Sequence, residues 1–167
     1  MKRVHLLLLS IVLAGCASLR SPVALEPGVS GLAEVRAAFG QPYRSYAEPD
    51  GGKTLEFSSQ PNGITCHMVR LDAAGRFVSV RDALSEAGLA RVKPGMSREQ
   101  VSRLLGNHRS VEFFRLSGEE VWDWNVDNRN GPGVATRFNV HFKDGRVVRT
   151  STTYVFPADG VFGGYGL

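Results

Sequence analysis

The chain has 167 residues, of which 43% are hydrophobic, and its 20 Lys and Arg exceed its 16 Asp and Glu by four charges. This length suits one domain or two small ones, and the hydrophobic content is enough for a core, which excludes a wholly disordered chain. The charge excess is too small for a typical nucleic-acid-binding protein, so we predict no nucleic-acid partner.

The first fifteen residues have the pattern of a signal peptide. Lys2 and Arg3 form a basic start, and "LLLLSIVLAG" (6–15) is an apolar run too short to span a bilayer as a stable helix. Removal of residues 1–15 leaves 18 of the 20 basic residues against 16 acidic ones. We therefore predict an exported protein that is close to neutral.

The apolar run ends in Leu13-Ala14-Gly15-Cys16, which resembles the lipobox of bacterial lipoproteins. In that family the chain is cleaved before the cysteine, and its thiol takes a diacylglyceryl group. The resemblance implies a lipid anchor at Cys16. The next residue, Ala17, is similar to the residue found there in lipoproteins that are sorted to the outer membrane. The alternative is an ordinary signal peptide that happens to contain a cysteine. If Cys16 is lipidated, the segment 16–27 is the anchor and a linker.

The second cysteine, Cys66, has no partner for an intramolecular disulfide once Cys16 is lipidated. It lies in the strand-like run "ITCHMVRL" (64–71). We therefore predict a buried, unreactive thiol, and a fold whose stability comes from packing.

Two stretches of the chain repeat one pattern: "LEPGVSGLAEVRAAFGQPYRS" (25–45) and "VKPGMSREQVSRLLGNHRS" (92–110). In each, Pro-Gly precedes a short amphipathic segment, and a glycine, Gly40 or Gly106, follows its last apolar residue. Apolar residues at helical spacing before a glycine predict one helix in each stretch.

The repeat continues beyond these helices as strand-like runs at matching distances. The pairs of runs are 53–59 with 120–126, 64–71 with 135–142, and 76–80 with 146–156. A further run at 109–116 is clear, its counterpart at 44–48 is weaker, and the register of 64–71 stays open because both of its faces are apolar.

These patterns predict an α+β fold made of two tandem modules, each with one helix packed on an antiparallel meander of three or four strands. We place the first, degenerate module at 28–82 and the second at 83–156. A short helix and turn join them within 82–95, and 157–167 form a tail rich in glycine and aromatic residues.

The second half resembles the SmpA/OmlA domain family, to which the outer-membrane assembly lipoprotein BamE belongs. The residues that carry the match are Gly95, Ser97, Gln100, Val101, Leu105, Gly106, Trp122, Trp124, Phe142, Asp144 and Gly145. The first half is a weaker copy, and two modules in one chain are a departure from that family.

This resemblance implies the helix-plus-meander fold, the periplasmic face of the outer membrane, and protein partners such as subunits of the β-barrel assembly machinery. The function implied is an accessory role in β-barrel assembly or in envelope integrity. Tandem modules of related architecture also occur in β-lactamase inhibitor proteins, which implies the alternative of a tethered, inhibitor-like module that binds a protein or a ligand.

No motif marks an active site, so we predict no enzymatic activity, no catalytic residue, no metal and no cofactor other than the lipid on Cys16. His67, His108 and His141 lie on separate elements without metal-ligand spacing. An envelope enzyme would need a pocket that gathers His108 or His141 with a carboxylate.

Three groups of residues are candidates for partner binding. A basic cluster (Arg91, Lys93, Arg98, Arg103 and Arg109) suits anionic lipid headgroups or an acidic protein, or is a solvated face. Trp122 and Trp124 share one face of a strand and suit a core or a binding surface. Phe156, Phe162 and Tyr165 lie in or beside the tail, which is either a disordered end or a segment that docks on a sheet edge or a partner.

Overall fold

The computed structural model describes residues 24–127 and 134–156, so Cys16, Phe162 and Tyr165 lie outside the described residues. The described chain forms two four-stranded antiparallel sheets with strand orders β1-β2-β3-β4 and β5-β6-β7-β8. A helix precedes each sheet, which confirms the predicted α+β fold of two helix-plus-meander modules.

The elements follow the predicted order. The first module contains α1 (Leu32–Phe39), β1 (Arg44–Ala47), β2 (Lys53–Ser58), β3 (Cys66–Leu71) and β4 (Phe77–Asp82). The second contains α2 (Glu86–Leu89), α3 (Arg98–Leu105), β5 (Ser110–Phe114), β6 (Glu119–Val126), β7 (Ala135–Lys143) and β8 (Arg146–Val155). The short helix α2 lies where the sequence predicts a connecting helix.

Equivalent backbone hydrogen bonds show the duplication directly. The Phe77 amide donates to the Ser30 carbonyl at 2.7 Å, and in the second module the Val147 amide donates to the Met96 carbonyl at 2.8 Å. Each bond ties the residue before a helix to the last strand of the same sheet. The repeated sequence pattern therefore corresponds to a repeated tertiary contact.

Both helices end at a glycine with the same backbone conformation. Gly40 has φ 85° and ψ −148°, and Gly106 has φ 78° and ψ −161°. Residues with a Cβ atom rarely adopt a positive φ with an extended ψ, so glycine is required at both positions. In α3 the Ser97 side chain accepts from the Gln100 amide, and the Gln100 side chain accepts from the Ser97 amide, which forms the N-terminal capping box.

The modules pack as four layers in the order α1, first sheet, α3, second sheet. In the first sheet, Leu55 and Val69 face α1, whereas Glu56 and Met68 lie on the opposite face, toward α3. A sheet buried on both faces carries apolar residues on both. This arrangement explains why both faces of the segment 64–71 are apolar.

A single core cluster joins the two modules. It contains Cys66 and Met68 of the first sheet, the buried face of α3, and Trp124 of the second sheet. A separate, smaller cluster lies between α1 and the other face of the first sheet. The second module therefore shares its core with the first, whereas α1 packs on the first sheet alone.

A buried carboxylate lies at the junction between the modules. Glu56 is fully buried, and its oxygens accept hydrogen bonds from the Tyr46 hydroxyl at 2.8 Å and from the Asn107 amide at 2.6 Å. A buried acceptor without partners is costly, so these two bonds hold the loop after α3 against β1 and β2. Burial and the hydrogen bond to Glu56 raise the pKa of Tyr46.

Cys66 lies at the same junction. It is fully buried and free, and burial raises the pKa of its thiol to about 12. The predicted buried thiol is confirmed, and at neutral pH it stays protonated, which is the unreactive form.

None of the helices in the described part of the chain has the length and apolar character needed to cross a membrane.

Candidate binding surfaces

The two tryptophans belong to the core. Trp124 is fully buried and Trp122 is 9% exposed. The Trp122 ring packs on Phe142 with 4.9 Å between centroids, and the Trp124 indole donates to the Gly106 carbonyl at 3.3 Å. The structure therefore corrects the partner-binding interpretation of Trp122 and Trp124 in favour of the core interpretation.

The predicted basic cluster is largely paired within the fold. Arg98 forms two hydrogen bonds to Glu120, at 2.8 and 2.9 Å, and Arg103 contacts Glu99 at 3.3 Å. Arg109 is paired with Asp123. Arg91 and Lys93 are the exposed members of the predicted cluster for which no ion pair is seen within residues 24–127 and 134–156.

The most exposed apolar stretch of the described residues was not among the predicted binding residues. β5 is an edge strand, and on it Val111, Phe113 and Phe114 are 48%, 62% and 45% exposed; Leu116 in the next turn is fully exposed. We call these four side chains the β5 edge surface. In "VEFFRL" the apolar residues are adjacent, so they lie on both faces of the strand. A strand that is covered on one face needs apolar residues on that face only, so the extra ones could have marked an exposed apolar surface.

An edge strand with exposed apolar side chains is a template for another strand. No strand of the described residues pairs with its outer backbone groups, and aromatic side chains on both sides supply contact area. Large aromatic residues are enriched in the centres of protein interfaces. The β5 edge surface is thus the part of the described chain best suited to hold a protein partner.

A polar network covers the outward face of the second sheet. His141 is 8% exposed; its Nδ1 lies 2.9 Å from Glu119 Oε2, and its Nε2 lies 2.9 Å from Ser151 Oγ. The guanidinium of Arg149 also contacts Glu119, at 2.7 Å, and these two hydrogen bonds hold the pKa of Glu119 below its ordinary value. The structure thus gathers His141 with a carboxylate, the condition set above for an envelope enzyme.

The surroundings of Ser151 fit a structural network better than a catalytic one. Ser151 lies in the middle of the ten-residue strand β8, whereas serine nucleophiles of this type are presented on a sharp turn. The Asn139 amide also donates to Ser151 Oγ, at 3.2 Å, so this oxygen is held by two neighbours. The network ties β6, β7 and β8 together on a face that no helix covers in the described chain.

The described residues contain no group of three or more His, Cys, Asp or Glu that is placed to hold a metal ion. His108 packs against Trp122 with 4.5 Å between ring centroids, and burial lowers its pKa. This half-buried histidine therefore packs against the rim of the core.

Comparison with known proteins supports the resemblance in the second half. Residues 83–152 match the model of the family described as "Outer membrane protein assembly factor BamE domain". No curated protein matches the chain. This family match covers most of the second module and none of the first.

A solved structure of a "putative beta-lactamase inhibitor protein" from Streptococcus mutans also matches. It is 13% identical, covers 74% of this chain and 82% of that chain, and has a TM-score of 0.31. Because this score is low, that likeness carries no argument about fold or function here.

Proposed function

We propose that the chain is a lipoprotein anchored through Cys16 in the outer membrane, where it faces the periplasm and binds protein partners without catalysis. Its role is that of an accessory in outer-membrane β-barrel assembly or in envelope integrity. The observation that carries this proposal is the BamE-domain match over residues 83–152. The lipobox-like tetrapeptide before Ala17 supports the anchor.

The β5 edge surface is our candidate for the contact with a protein partner. It lies within the matched range, and its exposed aromatic side chains lie on the edge strand of the described sheet. An added strand from a partner would gain main-chain hydrogen bonds and bury Phe113 and Phe114. Burial of each such side chain contributes about 1.5–3 kcal/mol.

A tethered, inhibitor-like module would need aromatic side chains spread across an exposed sheet face. Trp122 and Trp124 lie in the core, and the exposed aromatic side chains of the second sheet lie on its edge strand β5, beside a largely polar outward face. This alternative is therefore less well supported than the accessory role.

In-membrane crosslinking of the tagged full-length protein tests the proposal. We expect β-barrel assembly subunits among the captured proteins, and we expect Cys16→Ser to abolish their capture because the protein leaves the membrane. Phe113→Glu should also weaken capture. Val78→Glu, at an exposed apolar position of β4, is the matched control and should leave it unchanged.

Two results would count against this proposal. Capture of one unrelated periplasmic protein, or of nothing above background, would contradict the assembly role. Equal losses for Phe113→Glu and Val78→Glu would contradict the β5 edge surface as the contact.

A further inference from the structure

An open cavity lies between α2 and β8, at the opposite edge of the second sheet from the β5 edge surface. It has a volume of about 660 Å³, within the range of sites that hold a ligand or a large side chain. Its lining includes Leu84, Leu89, Val92, Val126, Phe138 and Tyr154. We call it the α2–β8 groove.

The α2–β8 groove is an uncovered part of the helix-facing side of the second sheet. Strand pairing places Thr152 opposite Phe138, and Phe138 opposite Trp124, so all three share the face that packs on α3. Trp124 is fully buried, whereas Thr152 is exposed and Tyr154 is 50% exposed. The helix layer covers the start of β8, where Val147 is buried, but leaves the part of the strand from Thr150 to Tyr154 open beside apolar side chains.

The chain itself leads out of this groove. Tyr154 lines it, Phe156 is 69% exposed, and the eleven residues 157–167 follow. The segment Pro157-Ala158-Asp159-Gly160 combines residues typical of turns, which reverse the chain direction. Such a reversal would bring Phe162 and Tyr165 back along β8.

The distances allow this return. The groove residues Thr150 to Tyr154 span about 13 Å of strand at about 3.3 Å per residue. The seven residues 161–167 reach at most about 25 Å when extended. The segment is therefore long enough to place two aromatic side chains along the whole groove, and its glycines let the backbone approach the sheet closely.

From the length and the exit point of this segment, we infer that residues 157–167 are the occupant of the α2–β8 groove, with Phe162 and Tyr165 as the side chains that enter it. The segment would extend the core over Leu84, Val92 and Val126 and complete the layer that α2 and α3 leave unfinished. The contact forms within one molecule, so it needs no partner and does not depend on the proposed function.

Site-specific photo-crosslinking tests this inference in the full-length protein. The photoreactive residue p-benzoylphenylalanine replaces Phe162, the sample is irradiated, and crosslinked peptides are mapped by mass spectrometry. We expect intramolecular crosslinks to the peptide of residues 84–93 or to the β7 peptide that contains Phe138.

Thr152→Arg provides the perturbation, because this exposed residue lines the groove and its substitution leaves the core intact. We expect the intramolecular crosslink to fall at least tenfold. Val148→Arg, at an exposed position of β8 outside the groove lining, is the control and should leave the yield unchanged. Melting temperatures of both variants that equal that of the parent protein would show that the fold is kept.

Crosslinks from position 162 that fall on other proteins, on a second copy, or on residues away from the groove would overturn the inference. A crosslink to the groove peptides that Thr152→Arg leaves unchanged would also overturn it, because the contact would then not depend on the part of the groove that Thr152 lines. A repeat with the photoreactive residue at position 165 guards against a poor geometry at 162.

Discussion

The close approach of the two modules at Gly106 gives the sharpest prediction of the structure. A Cβ atom at Gly106 would lie 2.5 Å from Cys66 Sγ and 3.0 Å from Glu56 Cδ, both of which belong to the other module. At Gly40, the equivalent position of the first module, a Cβ atom would meet nothing within 4 Å. The two glycines have nearly the same backbone conformation, so Gly40→Ala is a matched control for Gly106→Ala.

The magnitudes follow from two separate costs. Both substitutions force a residue with a Cβ atom into a conformation that costs about 1–3 kcal/mol. Only Gly106→Ala also overpacks the junction, which costs about 1–3 kcal/mol more. We therefore expect Gly106→Ala to lower the free energy of unfolding by about 1–3 kcal/mol more than Gly40→Ala does, which is a large part of a typical stability of about 5–15 kcal/mol.

Urea unfolding followed by tryptophan fluorescence measures this difference, because both tryptophans lie in the shared core. Cys66→Ala removes the sulfur that a Cβ at position 106 would meet, so the double variant should lose less than the sum of the two single losses. Equal losses for Gly40→Ala and Gly106→Ala, with no coupling to Cys66→Ala, would refute the packed junction.

Two further predictions concern groups described above. Ser151 should resist labelling by a fluorophosphonate reagent at neutral pH, because its network is structural; labelling that requires His141 would instead indicate a working nucleophile. Burial raises the folded-state pKa of Cys66 to about 12 from an ordinary value of 9.0, so its contribution to stability is present below about pH 9 and is lost as the pH rises to about 12. The free energy of unfolding should fall over that interval and fall less steeply in Cys66→Ala; identical pH profiles would contradict the burial.

The order of the elements could be predicted because each half repeats the same local signals. A glycine ends each helix, and alternation marks the strands that are covered on one face, as in β6. The partners of each face could not be predicted, since the segment 64–71 is apolar on both sides and only the packing of α3 on the first sheet explains why. Local periodicity reports burial but does not say which element provides it.

The candidate sites show the same limit. The spacing of Trp122 and Trp124 places both on one face of a strand, whether that face packs in a core or binds a partner. Only the tertiary packing shows that the face lies in the core. The basic side chains of Arg98 and Arg109 lie near each other in the sequence, yet their acidic partners, Glu120 and Asp123, come from the next strand along the sheet. A linear charge count therefore could not show that these cations are already neutralised.

The layered packing also determines where this stack of modules ends. The Tyr43 amide donates to the Glu56 carbonyl and the Arg109 amide donates to the Asp123 carbonyl, both at 2.7 Å, which makes Glu56 and Asp123 equivalent positions. Strand pairing then makes Asn139 the equivalent of Met68, which contributes to the core shared with α3. The second sheet thus presents, in polar form, the face on which a third module would dock, and repeat arrays need such polar terminal units to stay soluble. The polar outward face of the second sheet is therefore not suited to packing against a further module. Docking of one there would require apolar residues at Asn139 and its neighbours.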